Sequence, residues 1–124
     1  MRRLGCVAAI VISAALVSAQ RQAKTFDIYV VDVEGGNASL FVSPSGESLL
    51  IDAGNGGMSA ARDAGRIVEA AKDAGLSQID HVIITHWHGD HYGGLAELAS
   101  QMPIRHFIDH GANIQPAEAT DEFL

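Results

Sequence analysis

The sequence predicts an α/β domain in which a β-meander is followed by alternating strands and helices. Short runs rich in β-branched and aromatic residues, separated by turns that contain glycine or proline, fill residues 25–51. Beyond that point, apolar residues at helical spacing alternate with short apolar runs, an order typical of βαβαβ units whose strands pair in parallel. With 124 residues, the chain is long enough for one compact domain and too short for two.

The N-terminus is predicted to be a secretory signal peptide that covers residues 1–19, ahead of a domain at residues 24–124. A short basic start precedes an apolar run from Leu4 to Val17, and small residues lead up to a cleavage point after Ala19. A membrane anchor and a buried helix are the alternatives, although a run of this length falls short of the ~20 residues that span a bilayer. We therefore expect a bacterial protein exported to the periplasm or beyond, without a membrane attachment after cleavage.

The composition limits the chemistry that the mature chain can use. The single cysteine, Cys6, lies in the predicted signal peptide, so a bound metal must use nitrogen and oxygen ligands. The net charge of −7 argues against stable nucleic-acid binding, which needs clustered basic residues. A small-molecule or phosphodiester substrate remains compatible with this charge, because a metal ion can outweigh a distant acidic surface.

The meander is expected to contain three strands, at residues 25–33, 38–42 and 48–51. The segments between them, Gly35-Gly36-Asn37 and Ser43–Gly46, contain residues that favour turns.

A helix and a buried strand are predicted next. Residues 59–74 carry apolar side chains at three- and four-residue spacing, with Ser59 as the expected N-cap and Gly75 as the expected stop. The apolar run at residues 81–85 is typical of a strand covered on both faces.

The strongest functional signal is the sequence T-H-W-H-G-D-H at residues 85–91, which we call the histidine segment. Imidazole nitrogens and carboxylate oxygens are ligands of divalent metals such as zinc. His86 and His88 alternate along a strand end and can face the same way, whereas the glycine turn brings Asp90 and His91 from another direction. Two ligands for each of two metals is the natural division, and such a pair of ions activates a shared water. The simpler alternative is a polar loop rich in histidine.

The rest of the chain adds a helix from Gly93-Gly94 to Pro103 and a strand at residues 104–108. In parallel sheets, ligands gather beyond the carboxyl ends of the strands. Asp52 follows the third strand, the histidine segment follows the fourth, and Asp109 and His110 follow the last. We therefore expect all of these groups at one edge of the sheet.

The H-x-H-x-D-H motif follows an apolar strand, precedes Gly-Gly and a helix, and comes after a meander that ends in L-L-I-D-A-G. This combination resembles the metallo-β-lactamase superfamily and covers nearly all of the mature chain. The opening V-D-V-E-G-G-N-A-S-L-F-V-S-P-S-G also resembles the hydrolase-like domain of bacterial DNA-uptake competence proteins. The resemblance implies an αββα sandwich, of which the N-terminal β-meander and βαβαβ half are present.

The resemblance also implies a metal-dependent hydrolase with two zinc ions per complete domain, iron or manganese being possible replacements. It implies that His86 and His88 bind the first metal, that Asp90 and His91 bind the second, and that Asp90 helps to position the attacking water. Asp52 matches a family position near the metals, where it is expected to orient a ligand histidine. The implied reaction is attack by a metal-bound hydroxide on an ester, amide, lactone or phosphoester.

Members of this superfamily are usually about twice as long, and their later half supplies further metal ligands. The chain is therefore expected to be an N-terminal fragment, which leaves the activity of these 124 residues alone open. A β-lactamase proper and a non-catalytic or degenerate metal-binding protein are the competing interpretations.

The other histidines and Trp87 are candidates for supporting roles. His110 lies at the predicted active edge, where it could complete the metal site, contact the substrate or simply be a surface residue. His81 and His106 are predicted to be structural, and Trp87 is predicted to pack against the protein.

Overall fold

The structure, a computed structural model, describes residues 24–112. The predicted signal peptide and the last residues of the predicted domain lie outside this range. No helix within it is both long and apolar enough to cross a lipid bilayer. The strands are β1 (Asp27–Val30), β2 (Ser39–Val42), β3 (Ser48–Ile51), β4 (Ile79–Ile83) and β5 (Ile104–Ile108). The helices are α1 (Ala60–Asp73), α2 (Gly89–Tyr92) and α3 (Leu95–Gln101), and a 3₁₀ turn at Gly57–Ser59 leads into α1.

The described strands form one sheet in the order β1-β2-β3-β4-β5. The pairs β1/β2 and β2/β3 are antiparallel, whereas β3/β4 and β4/β5 are parallel. The predicted meander followed by parallel strands is therefore confirmed. Because the parallel strands run the same way, their carboxyl ends lie at one edge of the sheet.

The core lies between the sheet and one face of α1. Ala64, Ile67, Val68 and Ala71 are all buried, at the spacing that places side chains on one side of a helix. Together with α3 they cover the inward-facing side chains of the central strands, such as Leu50.

The two ends of α1 differ in how well the sequence predicted them. Gly75 has a φ of +76°, and its N–H donates to the carbonyl of Lys72, so this glycine ends the helix as predicted. Ser59 stands at the N-cap position but makes no capping hydrogen bond. The predicted position of the cap is therefore confirmed, but its side chain does not cap the helix, because the preceding 3₁₀ turn already gives Ser59 a helical backbone.

Two strands also depart from prediction. β1 is shorter than the predicted 25–33, because the backbone turns away and reaches a φ of +56° at Glu34. The predicted strand covered on both faces is wrong for β4: its inward Val82 is buried, but His81 and Ile83 on the other face are only partly buried. Among residues 24–112, the helices pack on one face of the sheet, and the other face carries an apolar groove of about 480 Å³. This single-sheet arrangement is the half-sandwich that the sequence implied.

The unequal covering of the two sheet faces can be tested on neighbouring leucines of β3. Leu50 is fully buried beneath the helices, whereas Leu49 lines the groove on the opposite face. Leu50→Ala is expected to lower the free energy of unfolding by about 2–5 kcal/mol, because it leaves a cavity. Leu49→Ala should cost less than half as much. Urea denaturation of the two variants measures both values, and equal losses would show that the outer face is as tightly packed as the inner one.

Candidate metal centre

The histidine segment begins where the chain leaves β4 and ends in the single helical turn α2. His88 is the last extended residue, with φ −93° and ψ 142°, and its carbonyl accepts hydrogen bonds from the N–H groups of His91 and Tyr92. His86 and His88 thus lie in the loop between β4 and α2, with a bend at His86 instead of the predicted strand end, whereas Asp90 and His91 belong to a helical turn. The sequence did not predict α2, because it placed the helix start at Gly93-Gly94.

The four predicted ligands lie close together. Nε2 of His86 is 3.0 Å from Nδ1 of His88, and the rings of His86 and His91 have centroids 3.9 Å apart. Nε2 of His91 lies 3.8 Å from a carboxylate oxygen of Asp90. Among the residues that the structure describes, no three histidine, aspartate, glutamate or cysteine side chains are arranged to surround one ion. The four side chains are therefore clustered, but His86 and His88 are hydrogen-bonded to each other instead of both facing one point.

Asp52 lies at the centre of the hydrogen-bond network behind these donors. Its side chain is 1% exposed, and its oxygens accept hydrogen bonds from the backbone N–H of Thr85 at 2.8 Å and from Nδ2 of Asn37 at 3.1 Å. Nδ1 of His91 lies 2.8 Å from Oδ2. One carboxylate thus connects the end of β3, the end of β4 and the helical turn α2.

This network sets which ring nitrogens carry protons. A carboxylate only accepts hydrogen bonds, so His91 donates from Nδ1, and the neutral form of this imidazole has its lone pair on Nε2. The hydroxyl of Thr85 lies 2.9 Å from Oδ2 of Asp52 and 3.0 Å from Nδ1 of His86. When this hydroxyl donates its one proton to Asp52, Nδ1 of His86 must donate to the hydroxyl oxygen. Nε2 of His86 then has a lone pair, which accepts a hydrogen bond from Nδ1 of His88.

The electrostatic surroundings favour neutral imidazole at His86. Burial and the nearby rings of His91 and His88 hold the pKa of His86 below its usual value, against the opposing effect of Asp52 and Asp90. Since a metal ion binds the unprotonated nitrogen of imidazole, this direction suits a ligand.

Two loops, which we call the glycine loops (residues 33–37 and 53–56), hold the helical turn from below. Three consecutive carbonyls accept backbone hydrogen bonds from them: Gly89 from Gly56 at 3.1 Å, Asp90 from Asn37 at 3.3 Å, and His91 from Ala53 at 2.6 Å. A Cβ atom at Gly36 would overlap the carbonyl of Asp90, so this close approach requires glycine.

The remaining candidates lie around the cluster or away from it. Trp87 is buried as predicted, its ring packs edge-on against Tyr92, and its Nε1 donates to the carbonyl of Gly111. His110 is exposed, and its ring lies 5.7 Å from that of Trp87. It therefore lies at the rim on the expected sheet edge, in contact with Trp87, and its role stays a prediction.

The other two histidines contact each other instead. The rings of His81 and His106 stack at 5.1 Å, and Nε2 of His81 lies 3.0 Å from a carboxylate oxygen of Glu47. Strand pairing places them side by side, in agreement with a structural role.

Several residues in the contacts behind the cluster were not predicted from the sequence, namely Thr85, Asn37, Asn55 and Asp63. Thr85 adjoins the motif and could have been noticed there. The other three act through contacts between distant parts of the chain, which residue type and spacing do not reveal.

Comparisons with known proteins agree with this geometry. A family model described as the metallo-β-lactamase superfamily matches residues 31–117. Lactamase-like protein aptB of Emericella nidulans is 36% identical over 83 residues, or 60% of this chain and 26% of that protein. The atrochrysone carboxyl ACP thioesterase dmxR1 of Cryptosporiopsis sp. is 34% identical over 68 residues, or 55% of this chain and 20% of that protein.

Solved structures are similar as well. A HARLDQ motif mutant of a metallo-β-lactamase from Cronobacter sakazakii superposes with a TM-score of 0.52 at 27% identity, and covers 67% of this chain and 31% of its own. The chain thus spans about a quarter of the length of the curated protein aptB and about a third of this structure.

The importance of Asp52 can be tested by removing its charge. Asp52→Asn is expected to lower the free energy of unfolding by about 3 kcal/mol, because an amide cannot accept all of the hydrogen bonds that this buried carboxylate accepts. Asp109→Asn is the matched control, since Asp109 is an exposed aspartate that follows β5 and accepts a hydrogen bond from Gly111. This substitution should lower the free energy of unfolding by no more than about 0.5 kcal/mol. Chemical denaturation gives both values, and similar losses would contradict the central position of Asp52.

Proposed function

This chain belongs to the metallo-β-lactamase superfamily, and from that premise we propose that its histidine segment belongs to the metal centre of a hydrolase. The resemblance to the superfamily is thereby confirmed, whereas the similarity to competence proteins stays a prediction. The observation that carries the proposal is the contact between the buried Asp52 and Nδ1 of His91. A carboxylate behind a histidine is the usual way in which proteins fix the orientation of a metal ligand.

The donor chemistry of the segment fits a divalent ion. Three imidazoles and one carboxylate suit zinc, with iron and manganese as alternatives. His86 and His88 would hold one ion, and Asp90 and His91 would hold a second. When bound, such ions lower the pKa of a water molecule and polarise the oxygen of the scissile group.

The residues of the chain have separate tasks in this proposal. Asp52 orients His91 directly and orients His86 through Thr85, so that Nε2 of each of these two histidines can bind an ion without a change of tautomer. The carboxylate of Asp90 is 46% exposed, which leaves it accessible to a water molecule that it can position and from which it can accept a proton. Trp87 and Tyr92 pack beneath the segment and support it from the protein side.

The proposed substrate is a small molecule with an ester, thioester, amide or lactone group, or a phosphodiester. One relative is named as a thioesterase, and the similar solved structure is a metallo-β-lactamase, so attack at an acyl carbon is the reaction that these names favour. The net charge of −7 agrees with a small substrate rather than a stable complex with nucleic acid. A panel of phosphodiester, lactone, thioester and β-lactam substrates, assayed with the zinc-loaded protein, would identify the class.

A non-catalytic metal-binding protein is the second candidate. The same donor cluster supports it, because histidine and aspartate side chains hold metal ions in structural and binding sites as well as in catalytic ones. Metal binding without turnover of any substrate in the panel would support it.

The ligand assignment predicts a specific loss of metal binding. The purified chain is expected to bind at least about one equivalent of zinc, and the double variant His86→Ala, His88→Ala should lose most of it. The double variant His81→Ala, His106→Ala is the control, because it removes the same number of histidines from the sheet itself. Metal analysis after gel filtration measures the stoichiometry, and an unchanged value in the first variant would refute the assignment.

Export is the second proposal that an experiment can decide directly. If residues 1–19 are a signal peptide, N-terminal sequencing of the protein recovered outside the cytoplasm should begin near Gln20. A protein that begins at Met1 in every fraction would contradict export.

A further inference from the structure

Asp63 is a buried carboxylate that the proposed chemistry does not use. It lies in the first turn of α1, and its side chain is 0% exposed. Burial alone would raise the pKa of Asp63, but hydrogen bonds from Arg62 and Asn55 hold it below its usual value. The side chain is therefore ionised at neutral pH. A buried charge is seldom the most stable way to fill a core position, so its contacts indicate what it does.

These contacts reach both glycine loops. Oδ2 of Asp63 accepts hydrogen bonds from the backbone N–H of Asn55 at 2.8 Å and from its Nδ2 at 3.0 Å. The same Nδ2 lies 2.7 Å from the carbonyl of Val33. Nε of Arg62 donates to Oδ1 of Asp63 at 2.7 Å, and Nη1 of Arg62 donates to Glu34 at 2.6 Å. Asp63 thus contacts loop 53–56 directly. It is linked to loop 33–37 through Asn55 and Arg62.

The glycine loops in turn fix the helical turn that carries two of the proposed ligands. Their N–H groups donate to the carbonyls of Gly89, Asp90 and His91. A Cβ atom at Gly54 would lie 2.7 Å from Oδ2 of Asp63, so the carboxylate also limits how far this loop can shift. The path from Asp63 to Asp90 and His91 therefore consists of close, directional contacts.

We propose that Asp63, acting through Asn55 and Arg62, is a positioning residue that holds the turn bearing Asp90 and His91 in place for metal binding. The inference rests on the proposed function in that the turn is taken to bind metal. His86 and His88 precede the carbonyls that the glycine loops contact, so we expect this pair to depend on Asp63 less.

The control for a test is Asp80. Like Asp63, it is largely buried. Its pKa is also held below the usual value, because hydrogen bonds from Ser48, Gln78 and Arg105 outweigh the effect of burial. It lies in β4, ahead of the histidine segment. Asp63→Asn and Asp80→Asn each remove one buried charge, so both should lower stability. Asn55→Ala is a second probe of the same contacts at a partly exposed position, where loss of the fold is less of a risk.

Amide hydrogen exchange of the ¹⁵N-labelled chain is the first measurement. In Asp63→Asn and Asn55→Ala, the N–H groups of Asn37, Ala53 and Gly56 are expected to exchange at least about tenfold faster relative to that of Val82 in the sheet. In Asp80→Asn this ratio should stay at the wild-type value. Uniform acceleration of all four amides in Asp63→Asn would mean general destabilisation and would overturn the proposal.

Zinc affinity, measured by calorimetry, is the second measurement. The dissociation constant should rise at least about tenfold in Asp63→Asn and remain near the wild-type value in Asp80→Asn. Loosened loops with unchanged zinc affinity would overturn the link to metal binding. A wild-type chain that binds no zinc would contradict the proposed function instead. In that case the exchange ratios alone would decide whether Asp63 positions the turn.

Discussion

The carboxylate of Asp52 is the group on which the rest of the candidate site depends. It is buried at the end of β3 in a left-handed conformation, with a φ of +62°, a geometry that costs a residue with a side chain about 1–2 kcal/mol. Hydrogen bonds from Thr85, Asn37 and His91 offset this cost and the cost of burying the charge. The same bonds tie two strand ends to the histidine segment, so that stability and ligand orientation have a common origin.

The sheet makes this arrangement possible because its parallel strands end at one edge. Asp52 follows β3 at this edge, and Thr85 and the rest of the histidine segment follow β4. Helices α1 and α3 cover one face of the sheet. Close backbone approach then completes the support, because glycine at position 36 lets the first loop contact the carbonyl of Asp90. The glycine loops hold the helical turn through its backbone carbonyls. Asp52 holds the segment through the side chains of Thr85 and His91 and through the N–H of Thr85.

Much of this organisation could be predicted from the sequence, and the failures share one cause. The meander, the extent of α1 and the proximity of Asp52 to the segment follow from local patterns and from the strand-end rule for parallel sheets. The helical turn α2 was missed because its four residues are fixed by contacts with the glycine loops. The role of Asp63 was missed for a related reason, since it contacts Asn55, and reaches Val33 and Glu34 through Asn55 and Arg62, only in the folded chain. The partial exposure of β4 on one face could not be predicted either. A run of apolar residues indicates a strand but does not show which elements cover it.

The central claim is that Asp52 prepares the histidines as metal ligands before any metal arrives. Long-range ¹H–¹⁵N correlation spectra of the histidine side chains, recorded for the metal-free chain at neutral pH, test it most directly. The account predicts that His91 carries its proton on Nδ1, with an unprotonated Nε2 whose resonance moves when zinc is added. A proton on Nε2 of His91, or a mixture of both tautomers, would contradict it.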